Sequence, residues 1–308
     1  MPKLEYRVVT DGLRFPEGPV VLPDGSVAVV EIESGNIVRV ALDGAKSVIA
    51  HVGGGPNGMA MGPGEQLYVC NNGGFNWVYH DDGFVRPHGR ADAYAGNGIQ
   101  RVDLASGKVE MLYDNCDGVP LFGPNDIVFD GKGGFWFTDH GKSYGRVMDR
   151  GALYYARVDG SLIKEAAFSL ITGNGVGLSP DGQTVYATET ETGRLWAWAI
   201  VGEGELAKEP WPSPAGGRFI GSAQHGYQRF DSLAVEEGGN ICVASLVNGG
   251  ISVFAPEGGL VEFWDGVEPY STNIAFGGAD MKTAYITLSG YGQLIAVDWP
   301  RAGLKLAY

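Results

Sequence analysis

Asn125 to Asp139 reads NDIVFDGKGGFWFTD. It opens on a polar residue, runs through a short apolar stretch and turns on glycines. It then ends in a β-rich run closed by a second polar residue. Two short strands joined by a Gly-rich reversal make a β-hairpin, because glycine supplies the backbone angles that reversal needs. Five further stretches share this plan: EGPVVLPDGSVAVVE from Glu17, NGMAMGPGEQLYVCN from Asn57, NGVGLSPDGQTVYATE from Asn174, DSLAVEEGGNICVAS from Asp231 and NIAFGGADMKTAYIT from Asn273. The closing residues are Glu31, Asn71, Asp139, Glu189, Ser245 and Thr287, fourteen positions after the leading residue, or fifteen in the copy that ends at Glu189.

A further β-rich run follows each copy, including Ile37–Val40, Ile99–Val102 and Leu294–Val297, and several copies allow a fourth. Antiparallel units of this size repeated around a chain are the mark of a propeller, one blade per copy. The sequence therefore predicts an all-β, six-bladed β-propeller with four-stranded blades and almost no helix, one domain over residues 1–308. Leu4–Val9 is expected as the outer strand of the last blade, closing the ring. A two-sheet sandwich gives no reason for six equivalent hairpins. Segments 72–97, 140–150 and 203–230 exceed the repeat and read as insertions.

The composition agrees with a globular chain: 44% of residues are hydrophobic and 19% charged, with 50 glycines that lack a three-residue period. A net charge of −14 argues against a nucleic-acid partner, which needs a concentrated basic face. No apolar run is long enough to span a bilayer, so no membrane partner is expected. The start, MPKLEYRVVT, has no basic segment leading into an apolar one, and three cysteines without CxxC spacing suggest neither a disulfide framework nor a thiolate metal site. A cytoplasmic protein, monomer or homodimer, is the expectation.

In a propeller the first strand of each blade lines the central channel. The six leading residues should thus converge at one mouth, Glu17 and Asp231 among the carboxamides of Asn57, Asn125, Asn174 and Asn273. Two nearby carboxylates repel unless a cation joins them, and an all-oxygen donor set suits hard cations such as Ca²⁺, Mg²⁺ or Mn²⁺. The plainer reading is that each Asn ties down backbone at the start of its strand, as Asn does in turns. For Glu17 and Asp231 that reading is weaker, because an unpaired charge in a channel is costly.

With these residues in view, the chain resembles the SMP-30/gluconolactonase/LRE-like family, through FPEGPVVLPDG, GGPNGMAMGP, GPNDIVFDGKGGFWFTD, GNGVGLSPDGQTVYATET, FDSLAVEEGGNICVAS and STNIAFGGADMKTAYIT. The resemblance spans nearly the whole chain. It implies one divalent metal, Ca²⁺ first with Zn²⁺, Mg²⁺, Mn²⁺ or Fe²⁺ as alternatives, held by Glu17, Asn174 and Asp231. Asn125 stands where family members contact metal or substrate, and Asp231 where they place a general base or nucleophile. A small lactone is the implied substrate, opened by water at a metal-polarised carbonyl. A phosphotriesterase-like reaction at the same metal and a non-catalytic ligand-binding propeller are the alternatives.

Gluconolactone itself is not carried over, because WFTDHGKSYGR and the aromatic-rich VCNNGGFNWVYHDDG depart from the family pattern. Substrate contacts are expected from Asn57, Asn125 and Asn273, with Arg101, His140, Tyr144 and His225, and less directly Asn97 and Trp77. The histidines show no metal-binding spacing, and no GxSxG marks a serine nucleophile.

Overall fold

A computed structural model describes residues 3–94, 97–224, 226–266 and 268–308. Among them no helix occurs, and the strands form six antiparallel blades of four strands around a central channel. The innermost strands are Pro16–Val21, Pro56–Gly62, Pro124–Phe129, Gly173–Leu178, Arg229–Val235 and Ser271–Gly277, which define blades 1 to 6. Each packs against the next, and blade 6 meets blade 1 to close the ring. Every one begins beside the expected leading residue.

Closure comes from the N-terminal segment. Tyr6–Thr10 pairs antiparallel with Gln293–Asp298, the third strand of blade 6, with Tyr6 opposite Val297. The strand lies slightly later than Leu4–Val9 because Leu4 is buried in the core between blades 5 and 6.

Six apolar clusters fill the six gaps between neighbouring blades. The alternation of each strand sends one side chain to each face of its blade, and both faces are covered. This explains the nearly unbroken burial of runs such as Phe135–Phe137 and Val27–Val30. Between blades 2 and 3, Phe135 packs against Tyr68 and Phe129 at ring distances of 5.7 and 5.5 Å. Burying one such ring contributes roughly 1.5–3 kcal/mol.

Close approach of the inner strands demands glycine directly after the leading residue in blades 2 and 4. A side-chain carbon on Gly58 would fall 2.4 Å from the Asn125 carbonyl oxygen, and one on Gly175 would fall 2.6 Å from the Leu233 nitrogen. Glycine at these positions lets the strands crowd together. Below the leading residues a cavity of about 450 Å³ follows the axis, lined by inner-strand residues and by the segment Leu304–Tyr308. Tyr308 meets Phe129 edge-on at 5.4 Å there.

Candidate active site at the mouth of the channel

All six leading residues sit at one end of the channel. Glu17, Asn57, Asn125, Asn174 and Asn273 are buried, and Asp231 is partly accessible. In every blade the pairing between first and second strands shifts register next to the leading residue. Such irregularities re-aim side chains and cluster beside active sites.

Neighbouring blades hold these residues in place. Asn273 donates from Nδ2 to Glu17 Oε2 at 2.7 Å, and Gly18 N donates to the same oxygen at 2.7 Å. Asn174 Nδ2 is taken by Thr190 Oγ1 at 2.9 Å, which leaves Asn174 Oδ1 on the inner side, 3.5 Å from Ser232 Oγ. Thr188 Oγ1 donates to the Asp231 carbonyl at 2.7 Å, and Thr138 Oγ1 donates to the Asn174 carbonyl. Thr138 and Thr188 each reach from one blade to the next blade's leading residue.

The closing residues have a different role. Asp139 accepts from Phe122 N, Gly123 N and Gly141 N at 2.7, 2.8 and 2.7 Å. Glu31 accepts from Arg14 N, Asn71 from Gly55 N and Glu189 from Ile171 N. In four blades the closing side chain therefore pins the backbone two or three residues ahead of its own blade's leading residue.

Negative charge accumulates at the mouth, and among the described residues neither Glu17 nor Asp231 forms an ion pair. Burial raises the Glu17 carboxyl, and burial with the charge of Glu17 raises Asp231 well above its ordinary value. A third carboxyl, Asp126, lies in the same field. It accepts from Ile127 N at 2.9 Å and from Val176 N of blade 4 at 3.3 Å, and burial with Glu17 pushes it up to about 7. Sequence alone does not find Asp126: strict alternation turns it away from the channel, and only the register shift beside Asn125 brings it into the seam.

These residues fit a hard cation. Among the described residues no donor reaches the buried Asn125 Oδ1, so a carbonyl lone pair at the mouth lacks a partner. Among the described residues no three His, Cys, Asp or Glu side chains gather closely enough to hold a metal alone. Glu17 and Asp231 could hold one only with the carbonyl oxygens of Asn125 and Asn174.

The insertions at 72–97 and 140–150 border this mouth. Phe75–Tyr79 and Val85–Arg90 form a hairpin reaching three blades. Trp77 packs on Phe15 of blade 1 at 5.0 Å, Phe84 on Tyr270 of blade 6 at 5.5 Å, and Arg90 lies 4.4 Å over the Tyr144 ring on the blade 3 side. Lys142 Nζ donates to Asn72 Oδ1 and Gly74 O at 2.9 and 3.0 Å and lies 3.5 Å from the Phe75 ring, pinning the hairpin's base.

Burial, reinforced by Lys142, lowers the His140 imidazole to about 4, so it is neutral, with Nδ1 3.4 Å from Gly141 O. Tyr144 is exposed at the rim and donates to Asp149. Asn97 ties to the Leu121 carbonyl. The structure does not bring Arg101 to the mouth: it stands on the third strand of blade 2, paired with Glu110 at 2.8 Å, because three residues of strand separate it from the rim at Gly98. His225 lies outside the described residues.

A six-bladed propeller with two carboxylates and four carboxamides at one channel mouth defines a class of oxygen-donor site. The family model for the SMP-30/gluconolactonase/LRE-like region matches residues 15–290, and the chain belongs to that family. It is 26% identical over 254 residues to lactonase drp35 of Staphylococcus haemolyticus, covering 82% of this chain and 69% of that one. It is also 26% identical over 327 residues to diisopropyl-fluorophosphatase of Loligo vulgaris, covering 97% and 94%. Among solved structures, the calcium-binding protein regucalcin of Agrobacterium tumefaciens superposes with a TM-score of 0.74 at 16% identity, over 99% of both chains. Among the described residues no helix is long and apolar enough to cross a membrane.

Proposed function

We propose that the chain is a metal-dependent lactonase whose active site is the leading-residue mouth. The observation that carries this reading is that Glu17 and Asp231 share one field at the mouth beside Asn174, with the Asn125 carbonyl donorless among the described residues, in a family that includes lactonases. A divalent cation, Ca²⁺ in first place, would be held by Glu17, Asn125, Asn174 and Asp231, and would supply positive charge for a carbonyl oxygen as it becomes anionic.

The protein's own groups then have separate tasks. Asn273 and Gly18 N fix the Glu17 carboxylate, and Thr190 turns the Asn174 carbonyl inward. Asp231 takes the proton of the attacking water, a step that contributes about 10²–10⁴ in rate when the base is well placed. Asn57, His140 and Tyr144 line the approach, and the aromatic hairpin restricts solvent. Phe15, Phe84, Trp77 and Tyr270 border the mouth and would pack on the ring carbons of a bound lactone.

A lactone panel followed by proton release, run on metal-stripped protein restored with each cation in turn, tests this. Opening of at least one lactone, lost in Asp231→Ala, is the expected result. If no lactone opens under any metal, the reading fails.

The near full-length match to diisopropyl-fluorophosphatase favours one second reading, hydrolysis of a phosphotriester at the same residues. Single-turnover hydrolysis in labelled water separates the routes: attack by Asp231 puts the label into the enzyme only at the second step, whereas direct water attack puts it into product at once.

A further inference from the structure

Arg229 stands two residues before Asp231 in the inner strand of blade 5, and both exert their charge on the phenol of Tyr270 across the seam to blade 6. The field of Arg229 also reaches the neutral imidazole of His140 on blade 3. The inner strand of blade 5 begins at Arg229, so the guanidinium lies at the rim of the mouth. It is held at the rim by Tyr227, whose hydroxyl accepts from Nε at 2.8 Å, and by Glu191, 3.0 Å from Nη2. Among the described residues Nη1 has no hydrogen-bond partner. A second guanidinium, Arg86 of the covering hairpin, is partly buried within reach of Tyr270 and has no ion pair among the described residues. Two guanidiniums beside a carboxylate-rich mouth, in a chain of net charge −14, mark a local reversal of sign.

We propose that Arg229 is a specificity-determining residue and that the substrate lactone carries a carboxylate, which the Arg229 guanidinium binds while the ring carbonyl lies beside Asp231. The assignment rests on the lactonase reading. Arginine suits it because its planar fork matches a carboxylate in a way lysine cannot.

The test offers γ-butyrolactone-γ-carboxylate and its carboxamide, which have nearly the same shape, to the calcium-supplied protein. The wild type should prefer the carboxylate by roughly tenfold or more in kcat/KM, the span of a hydrogen-bonded charge. Arg229→Gln should bring that ratio near one, chiefly through KM. Arg229→Lys should lower it severalfold, and Glu191→Gln, which releases the guanidinium from its rim partner, should raise it.

A ratio near one in the wild type, or one unchanged in Arg229→Gln, overturns the proposal. Should Arg229→Gln fail to fold, a wild-type ratio in Arg229→Lys together with no rise in Glu191→Gln overturns it equally. If neither compound is opened, the assignment is judged on binding, and the lactonase reading is judged separately by the lactone panel. Calorimetric binding of the ring-opened hydroxy dicarboxylate then decides: tighter binding by wild type than by Arg229→Gln upholds the assignment, and equal binding removes it.

Discussion

Asn273 and Glu17, 256 residues apart in the chain, meet across the seam where blade 6 closes on blade 1, with the Asn273 amide donating to Glu17 Oε2 at 2.7 Å. Closing the ring and orienting a mouth carboxylate are thus one event. Ser289 Oγ adds a second bond across the seam, to the Pro16 carbonyl at 2.5 Å.

Replacing Asn273 by Leu keeps the volume and removes the donor. Calcium affinity, measured by titration calorimetry, should fall about 10- to 100-fold, the usual cost of losing a group that orients a metal ligand. Unchanged affinity would show that Glu17 is aimed by its backbone alone.

Glu17, Asp126 and Asp231 at the mouth, with Asp139 and Glu268 elsewhere, have raised carboxyls that together shape the pH dependence of the metal-free protein. Their folded values lie above those of the unfolded chain, so between about pH 4 and about pH 7 the folded state holds protons that the unfolded chain has released. Stability must then fall as pH rises through that window. Thermal unfolding in chelator should show this decline, Asp126→Asn should reduce it, and excess calcium should give its largest gain at the high-pH end. A decline of equal slope in Asp126→Asn would mean that Asp126 takes no part in it.

Asp139 accepts three backbone donors that no other group serves among the described residues. Asp139→Ala leaves them unmet at about 1–3 kcal/mol for each that water does not reach. A loss of at least ~2 kcal/mol in urea unfolding is expected, with Asp139→Asn intermediate.

Lys142 ties the covering hairpin to blade 3 through two carbonyl oxygens. Lys142→Met keeps the stem and removes those bonds, so limited proteolysis within residues 75–90 should accelerate severalfold while cleavage elsewhere stays constant. Equal cleavage would mean that Trp77 and Phe84 hold the hairpin without it.

The blades are legible in the sequence because burial on both faces of each strand leaves apolar runs between glycine turns, and the leading residues because polar side chains stand out at one repeat position. The braces are not. Thr138, Thr188 and Thr190 look like ordinary strand residues until the folded blades place them against Asn174 and Asp231. Asp126 and Arg229 escape notice for a related reason: their significance depends on a register shift and on strand direction at the rim, neither of which a single sequence displays. The closing residues stand out as a pattern, but only the hydrogen bonds of Glu31, Asn71, Asp139 and Glu189 reveal that they serve the backbone.

A cation shared by the four mouth residues is the claim on which the lactonase reading stands, and diffraction from crystals grown with manganese tests it most directly. An anomalous peak bounded by oxygens of Glu17, Asn125, Asn174 and Asp231, absent in Glu17→Gln, is the result expected. A saturating manganese soak that leaves those four side chains without a peak would contradict it.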